Sequence, residues 1–366
     1  MSSRSKKILG NLAIFIVGII IIFSIAEITV RVFKQDELAP GLWPEENTRY
    51  VPELKRNLYV NISNLTRSTS EYSYQVSTNE QGFRDFHPIL KDEETTRILG
   101  LGSSQTFGNT VDADDTYLSL LGNELDVETI NLGLGGIGLD EMKIILQEYG
   151  FSYQPDLIIV ETSLGNFQSG SDFAHKSEAS RETKNSAFFW LYEHSKLVNH
   201  LYWLSKTTHL GSKVVNTLKL NEHTQDSVSF ELSLLRGDDD PTLYEAKKSV
   251  FRNLQEIKKL ADEKEVPLMV VFVSSSYQVE PKRLQALVEK FGLAEEDVNP
   301  ENAENFFRES CKRLNIPFFE TTAALQDHQK GTPVIWNFDN HLTPRGNQIY
   351  ASELAKFIKE HHLIER

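Results

Sequence analysis

The sequence predicts an α/β protein in which a parallel sheet is sandwiched between helices, preceded by one N-terminal transmembrane helix. From Arg97 onward, short apolar runs at 98–101, 129–132, 157–160, 268–273 and 317–320 alternate with amphipathic stretches. These runs are continuous rather than alternating in polarity, as expected of strands buried on both faces. Near the start, residues 12–26 are apolar apart from Gly18 and Ser24. About 20 such residues in a helix cross a hydrocarbon layer of roughly 30 Å.

The elements follow in order. Residues 1–34 form the expected membrane anchor. Asn11 and Glu27, its only strongly polar residues within 8–30, lie near the ends of the apolar stretch, within reach of headgroups. No small-x-small site follows the run, and Glu27, Arg31 and Lys34 come instead, which favours an uncleaved single span over a removed signal peptide. Arg4, Lys6 and Lys7 favour an inside N-terminus, with the body outside the cytoplasmic membrane. Residues 35–92 are polar and aromatic, hold Pro40, Pro44, Pro52 and Pro88, and read as a lead-in with short strands such as 73–77. Residues 93–366 form the α/β domain, with helices expected at 116–125, 140–149, 246–263, 281–290, 302–314 and 344–358. An insertion at about 167–241 interrupts the alternation. Within it, 187–203 carries a broad apolar helical face, suited to a lid, to a bilayer contact or to packing on the sheet. The acidic run 238–240 reads as a solvated loop.

Composition and charge narrow the function. The 366 residues are 40% hydrophobic and 25% charged, which excludes wholesale disorder. A formal net charge of −14 argues against a nucleic-acid partner, because a phosphate backbone would be repelled. Residues 1–34 carry five basic groups and one acid, so the remainder is more acidic still. The single cysteine, Cys311, excludes an intrachain disulfide and reads as a small buried helix residue. No metal and no cofactor are expected: the ten histidines are scattered, and there is no Gly-x-x-x-x-Gly-Lys phosphate loop.

Two motifs carry chemistry. The first, Arg97-Ile-Leu-Gly-Leu-Gly-Ser-Ser-Gln-Thr-Phe-Gly108, runs from a strand into a Gly-Ser-Ser corner and a helix-compatible turn. A serine there faces the crevice in which open α/β sheets bind ligands, and neighbouring backbone N–H groups can point at a developing oxyanion. The second is Trp336-Asn-Phe-Asp-Asn-His-Leu-Thr-Pro-Arg-Gly346. Asp339 and His341 stand two apart in front of a Thr-Pro helix start, so the carboxylate can reach and orient the imidazole that a serine hydroxyl needs as its base. Read alone, an Asp-x-His pair at a helix entrance is also an ordinary structural histidine. The corner offers two adjacent serines, Ser103 and Ser104.

Gly102-Ser-Ser-Gln-Thr-Phe-Gly108 resembles the first block of the SGNH (GDSL-like) hydrolases, usually Gly-Asp-Ser-x-Thr-x-Gly. Asn131-Leu-Gly-Leu-Gly-Gly-Ile-Gly138 is similar to the second block, and Pro155-Asp-Leu-Ile-Ile-Val-Glu-Thr-Ser-Leu-Gly-Asn166 to the third. Asp339, His341, Pro344 and Gly346 match the last. The four blocks occur in family order over 97–358, and a membrane span ahead of them resembles membrane-tethered bacterial members. The resemblance implies a flavodoxin-like SGNH hydrolase fold and a serine esterase acting through an acyl-enzyme. It implies Ser104 as nucleophile, His341 as base, Asp339 as its orienting carboxylate, and Gly136 and Asn166 as oxyanion donors. Ser103 stands where the family usually has aspartate, and Phe167 where an aspartate is common. Together with the extracytoplasmic topology, the resemblance implies an acylated carbohydrate or small ester as substrate. An O-acyltransferase with the same triad, or an inactive scaffold or binding subunit, are the alternatives.

Overall fold

The structure is a computed structural model that describes residues 3–33, 37–38, 44–92, 94–167, 191, 194–206, 233–237, 241–329 and 331–364. The acidic run 238–240 and most of the insertion expected at 167–241 lie outside the described residues.

The chain opens with α1 (Ser3–Phe33), of which Gly10–Phe33 is long and apolar enough to cross a membrane. The lead-in contains β1 (Glu37–Leu38), β2 (Thr48–Val51), β3 (Arg56–Tyr59), β4 (Leu65–Ser68) and β5 (Ser73–Val76). The β2–β3 pair and the β4–β5 pair are antiparallel, and β1 runs parallel to β4. Next come β6 (Arg97–Leu101), α2 (Ser104–Phe107), α3 (Tyr117–Leu125), β7 (Glu128–Asn131), α4 (Leu139–Glu148) and β8 (Leu157–Thr162). After β8, α5 (Lys196–Lys206) belongs to the insertion, and α6 (Pro241–Glu263) leads to β9 (Leu268–Phe272). The C-terminal part holds α7 (Ser276–Val279), α8 (Pro281–Phe291), α9 (Asn302–Leu314), β10 (Phe318–Glu320), α10 (Thr322–His328) and α11 (Pro344–Glu360).

The five predicted apolar runs are the five strands of one parallel sheet, in the order β10-β9-β8-β6-β7. Every residue of β6, β8 and β9 is buried, which is why their sequences show no polar alternation. Side chains still alternate between faces. Leu99, Leu101, Ile158, Val160, Val270 and Phe272 pack beneath α4, α6 and α9. Ile98, Leu157, Ile159, Met269 and Val271 pack beneath α3, α10 and α11. Helices thus cover both faces. α6 begins at Pro241, ahead of the expected 246, because the fixed φ of proline suits a first helical turn. The short helices α7 and α10 had no periodic signal of their own.

This is the flavodoxin-like strand order. The chain steps from β6 to β7 on one side, then returns past β6 to β8 on the other. That reversal opens a crevice at the C-terminal ends of β6 and β8, where such sheets place their ligands. Ser103 and Ser104 leave β6 at that point.

Candidate active site

The turn after β6 is built by close backbone approach. A Cβ on Gly102 would sit 1.9 Å from the Thr106 hydroxyl and 2.5 Å from Glu161 Oε2, so only glycine fits. On the other side the loop after β7 presses against α2, where a Cβ on Gly133 would meet the Phe107 nitrogen at 2.3 Å. Asn131 ties the two together: its Nδ2 donates to the Thr106 carbonyl at 2.7 Å, and its Oδ1 accepts from the Gly133 N–H at 3.0 Å. α2 is only four residues long and ends at Gly108 in the left-handed region, φ 81°.

Beneath this turn lies Glu161, fully buried in β8. Its Oε2 accepts from the Ser103 N–H at 2.9 Å, the Thr106 N–H at 3.0 Å and the Thr106 hydroxyl at 2.8 Å. Its Oε1 accepts from the Ser103 hydroxyl at 3.1 Å. Burial raises the Glu161 pKa, and these four hydrogen bonds oppose the rise. The position where the resembled family usually has an acidic residue is thus occupied by a hydroxyl that donates to a carboxylate from the neighbouring strand. Ser103 is committed to that contact.

Ser104 faces the other way. Its hydroxyl lies 2.7 Å from His341 Nε2, and His341 Nδ1 is hydrogen-bonded to Asp339 Oδ1. Asp339 Oδ1 also accepts the His341 backbone N–H at 3.0 Å. A hydroxyl, an imidazole and a carboxylate from opposite ends of the chain therefore form one row. The His341 and Asp339 side chains are 20% and 22% exposed, so solvent can reach them. Burial works against charge on His341, but the Asp339 carboxylate and its hydrogen bond win and raise the imidazole pKa. For Asp339, burial favours the neutral form. The His341 charge and the hydrogen bonds outweigh it and lower the pKa.

Asn166 sits in a one-turn helix, Leu164–Phe167, directly after β8. Its Oδ1 accepts from the Ser163 N–H at 2.6 Å, which fixes the side chain, while its buried Nδ2 has no partner. An amide donor held this way is an unfilled site for an acceptor. Gly136 lies in the turn after β7 with φ 70°. Arg56 of β3 holds that turn by donating to the carbonyls of Gly135 at 3.0 Å and Gly136 at 3.2 Å, and it pairs with Glu141 at 3.2 Å. Because the sheet is parallel and β6 lies between β7 and β8, both loops emerge at the end that carries Ser104.

The sequence reading missed the groups that hold the Asp339–His341 loop. The Tyr72 hydroxyl, in the short connection between β4 and β5, donates to Asp339 Oδ2 at 3.0 Å. Burial first, then the Asp339 charge, raises its pKa, so it stays a donor at neutral pH. Glu71 accepts the N–H groups of Asn337 and Phe338 at 2.8 and 2.9 Å. Gln105 donates to the Asn340 carbonyl at 3.0 Å, and the Ser276 hydroxyl donates to Asn340 Oδ1 at 2.6 Å. Trp336 packs against Tyr72 with the rings tilted by 47° and their centroids 5.6 Å apart, and donates from its indole to Thr110 at 3.0 Å. The loop then enters α11 through Thr343, whose hydroxyl accepts from the Gly346 N–H at 3.1 Å, with Pro344 in the first turn. Among the described residues no group of three or more His, Cys, Asp or Glu is placed to hold a metal ion.

No protein-family model matches the chain, and no curated protein sequence matches it. Among solved structures it is similar to an acetyl xylan esterase, AlAXEase, at 11% identity and a TM-score of 0.41, over 71% of this chain and 98% of that one. It is similar also to the lipase/acylhydrolase from Enterococcus faecalis, at 12% identity and a TM-score of 0.39, over 73% of this chain and 97% of that one. TesA is similar at 8% identity and a TM-score of 0.40, over 74% of this chain and the whole of that one.

Proposed function

We propose that the chain is a membrane-anchored serine esterase of the SGNH type, and that it cleaves an ester through an acyl-enzyme. The hydrogen-bonded row of Ser104, His341 and Asp339 at the C-terminal end of β6 carries this reading. Ser104 Oγ attacks the ester carbonyl carbon while its proton passes to His341 Nε2. Asp339 holds Nδ1–H and stabilises the imidazolium. The oxyanion is received by the unpartnered Asn166 amide and the Gly136 N–H. Collapse breaks the bond to the alcohol oxygen, which takes the proton from Nε2. Water, deprotonated by the same nitrogen, then releases the carboxylic acid and restores Ser104.

The anchor is Gly10–Phe33, with the N-terminus inside and the domain at 93–366, preceded by the lead-in at 35–92, outside the cytoplasm. From that side of the membrane the substrate class we assign is an O-acyl, above all O-acetyl, ester on a cell-surface or exported glycan. A sugar hydroxyl in place of water makes the same site an O-acyltransferase. The His341 and Asp339 side chains, 20% and 22% exposed, leave the row within reach of an acceptor other than water. Fluorophosphonate labelling of the full chain in detergent tests the nucleophile. Labelling is expected to survive Ser103→Ala and to vanish with Ser104→Ala and His341→Ala; loss with Ser103→Ala alone overturns the assignment. Measuring acetate release beside acetyl transfer to a glycan acceptor separates esterase from transferase.

A further inference from the structure

Glu27 is an acid inside the apolar helix α1, and the catalytic row makes no use of it. It lies six residues before the helix end at Phe33, within roughly 10 Å of that end at about 1.5 Å per residue. Ionisable groups at such a depth are costly and mark a partner or a function. Here the partner is the N-terminus of α5. The Ser195 hydroxyl donates to Glu27 Oε2 at 2.7 Å, and the N–H groups of Lys196 and Leu197 donate to its two oxygens at 3.1 and 2.9 Å. Arg31 donates to Glu27 Oε1 at 2.6 Å and to the His194 carbonyl at 2.7 Å. Ser195 Oγ in turn accepts the Val198 N–H at 3.1 Å. The first N–H groups of α5, which a helix cannot satisfy internally, are therefore met in part by a carboxylate from α1.

The rest of α5 has two sides. Asn199 is buried, whereas Leu201 and Leu204 are 52% and 51% exposed. Leu197, Leu201 and Leu204 recur at helical spacing on one face, and Trp203 stacks edge-on with Tyr202 beside them. α1 likewise presents apolar side chains near its end, with Ile28 and Val32 60% and 63% exposed. Amphipathic helices that lie on membranes bury their apolar face about 5–10 Å into the headgroup and acyl boundary. Glu27 fastens α5 six residues before the end of α1, about 9 Å along the helix from that end.

We propose that α5 is an interfacial helix: it rests its Leu201–Leu204 face in the lipid surface and is clasped to the membrane anchor by Glu27 and Arg31. The occupant of the exposed face is the bilayer itself. The clasp holds the body of the protein at a fixed height above its substrate layer rather than on a free tether. This rests on the reading of α1 as a membrane span, and not on the esterase reading.

The test uses the full chain in phosphatidylcholine vesicles with a nitroxide attached to one introduced cysteine at a time. Cys311 is fully buried and its thiol is pushed up to about 12 by burial, so it leaves the labelling to the new site. Ile21→Cys reports the span, Leu204→Cys reports α5, and Lys356→Cys, on the exposed side of α11, reports water. Relaxation by oxygen marks lipid, and relaxation by a water-soluble nickel chelate marks solvent. L204C is expected to be several-fold less accessible to nickel than K356C, open to oxygen, and shallower than I21C. Adding Glu27→Ala is expected to restore nickel accessibility at L204C and to leave I21C unchanged. With I21C in lipid, an L204C label as nickel-accessible as K356C overturns the proposal. So does a label shielded from both reagents, which signals a protein partner such as a second copy, or one unmoved by Glu27→Ala. An I21C label in water overturns the anchor and this inference with it, and leaves the catalytic reading untouched.

Discussion

Replacing Glu161 separates support of the serine turn from the chemistry at its tip. The side chain is fully buried and accepts four hydrogen bonds, two of them from the backbone N–H groups of Ser103 and Thr106. Leucine has nearly the same shape and accepts none. The two hydroxyls can turn elsewhere, since Thr106 Oγ1 also lies 2.9 Å from the Tyr117 hydroxyl. The two amides cannot, and each unsatisfied buried group costs about 1–3 kcal/mol. Glu161→Leu should therefore destabilise the turn by roughly 2–6 kcal/mol, less what is recovered by removing a carboxylate held against burial. A shift of the turn by about 1 Å displaces the Ser104 hydroxyl and costs on the order of 10²-fold in rate. Glutamine keeps an oxygen where Oε2 stands and can donate its amide to the Ser103 hydroxyl, so Glu161→Gln should stay within about tenfold of the parent, the worth of about one net hydrogen bond. The assay is p-nitrophenyl acetate hydrolysis by the full chain in detergent, beside its thermal unfolding. A leucine variant with the parent's kcat and Tm would refute the claim that Glu161 holds the nucleophile's turn.

Asn166→Ala removes the unpartnered amide and should lower kcat by about 10²–10³ with little change in KM, as loss of one oxyanion donor does; steady-state kinetics on the same ester decide it. Tyr72→Phe deletes the hydrogen bond to Asp339 Oδ2, a bond to a charged group that is worth about 1.5–3 kcal/mol, and should lower kcat roughly tenfold while fluorophosphonate labelling persists more slowly. Gly102→Ala puts a Cβ 1.9 Å from the Thr106 hydroxyl and should abolish labelling and lower Tm; a fully active variant contradicts the close packing. The raised pKa of His341 sets the acid limb of kcat/KM above the ordinary histidine value of about 6.5, because the neutral imidazole is the base. Stability runs the opposite way. The charged His341–Asp339 pair contributes in full between about pH 4 and pH 6.5, and is lost as pH rises through the raised His341 pKa or falls through the lowered Asp339 pKa. Asp339→Asn should move the acid limb down and cut kcat by about 10⁴, the cost of the equivalent change in a serine-protease triad.

The sheet was legible because its strands are buried on both faces. Leu157–Thr162 and Leu268–Phe272 are unbroken apolar or β-branched runs save for Glu161, and the helices between them carry their periodicity openly. The turn that presents Ser104 was legible for another reason: close packing leaves marks at fixed spacing, such as Gly102 four residues before Thr106. Glu161 was hidden inside a strand whose apolar neighbours spoke only of burial. The lead-in was harder. Its strands are two to four residues long, and Tyr72 lies in the loop between two of them, 267 residues from the aspartate it contacts. No local pattern announces a contact of that separation.

That separation bears on how the site is made. The loop from Trp336 to Thr343 has little regular structure of its own, only one antiparallel bridge between Ile335 and Leu342. Its position is set from outside, by Glu71 and Tyr72 in the lead-in, Gln105 on α2, Ser276 on α7 and Arg283 on α8. Gln105 follows Ser104 directly, so the same turn that presents Ser104 also grips the loop that presents His341. Arg84 extends the tie: buried, it donates to the Gly108 and Val111 carbonyls at 2.7 and 3.1 Å and to the Gln75 carbonyl at 3.0 Å, which stitches the serine turn to β5. The serine, the histidine and the lead-in therefore form one triangle of contacts at the C-terminal ends of the strands rather than within the sheet. Small exposed strands open at lower cost than a doubly covered sheet. The geometry of the row thus depends in part on short strands outside the doubly covered sheet, in the lead-in that runs between α1 and the serine turn.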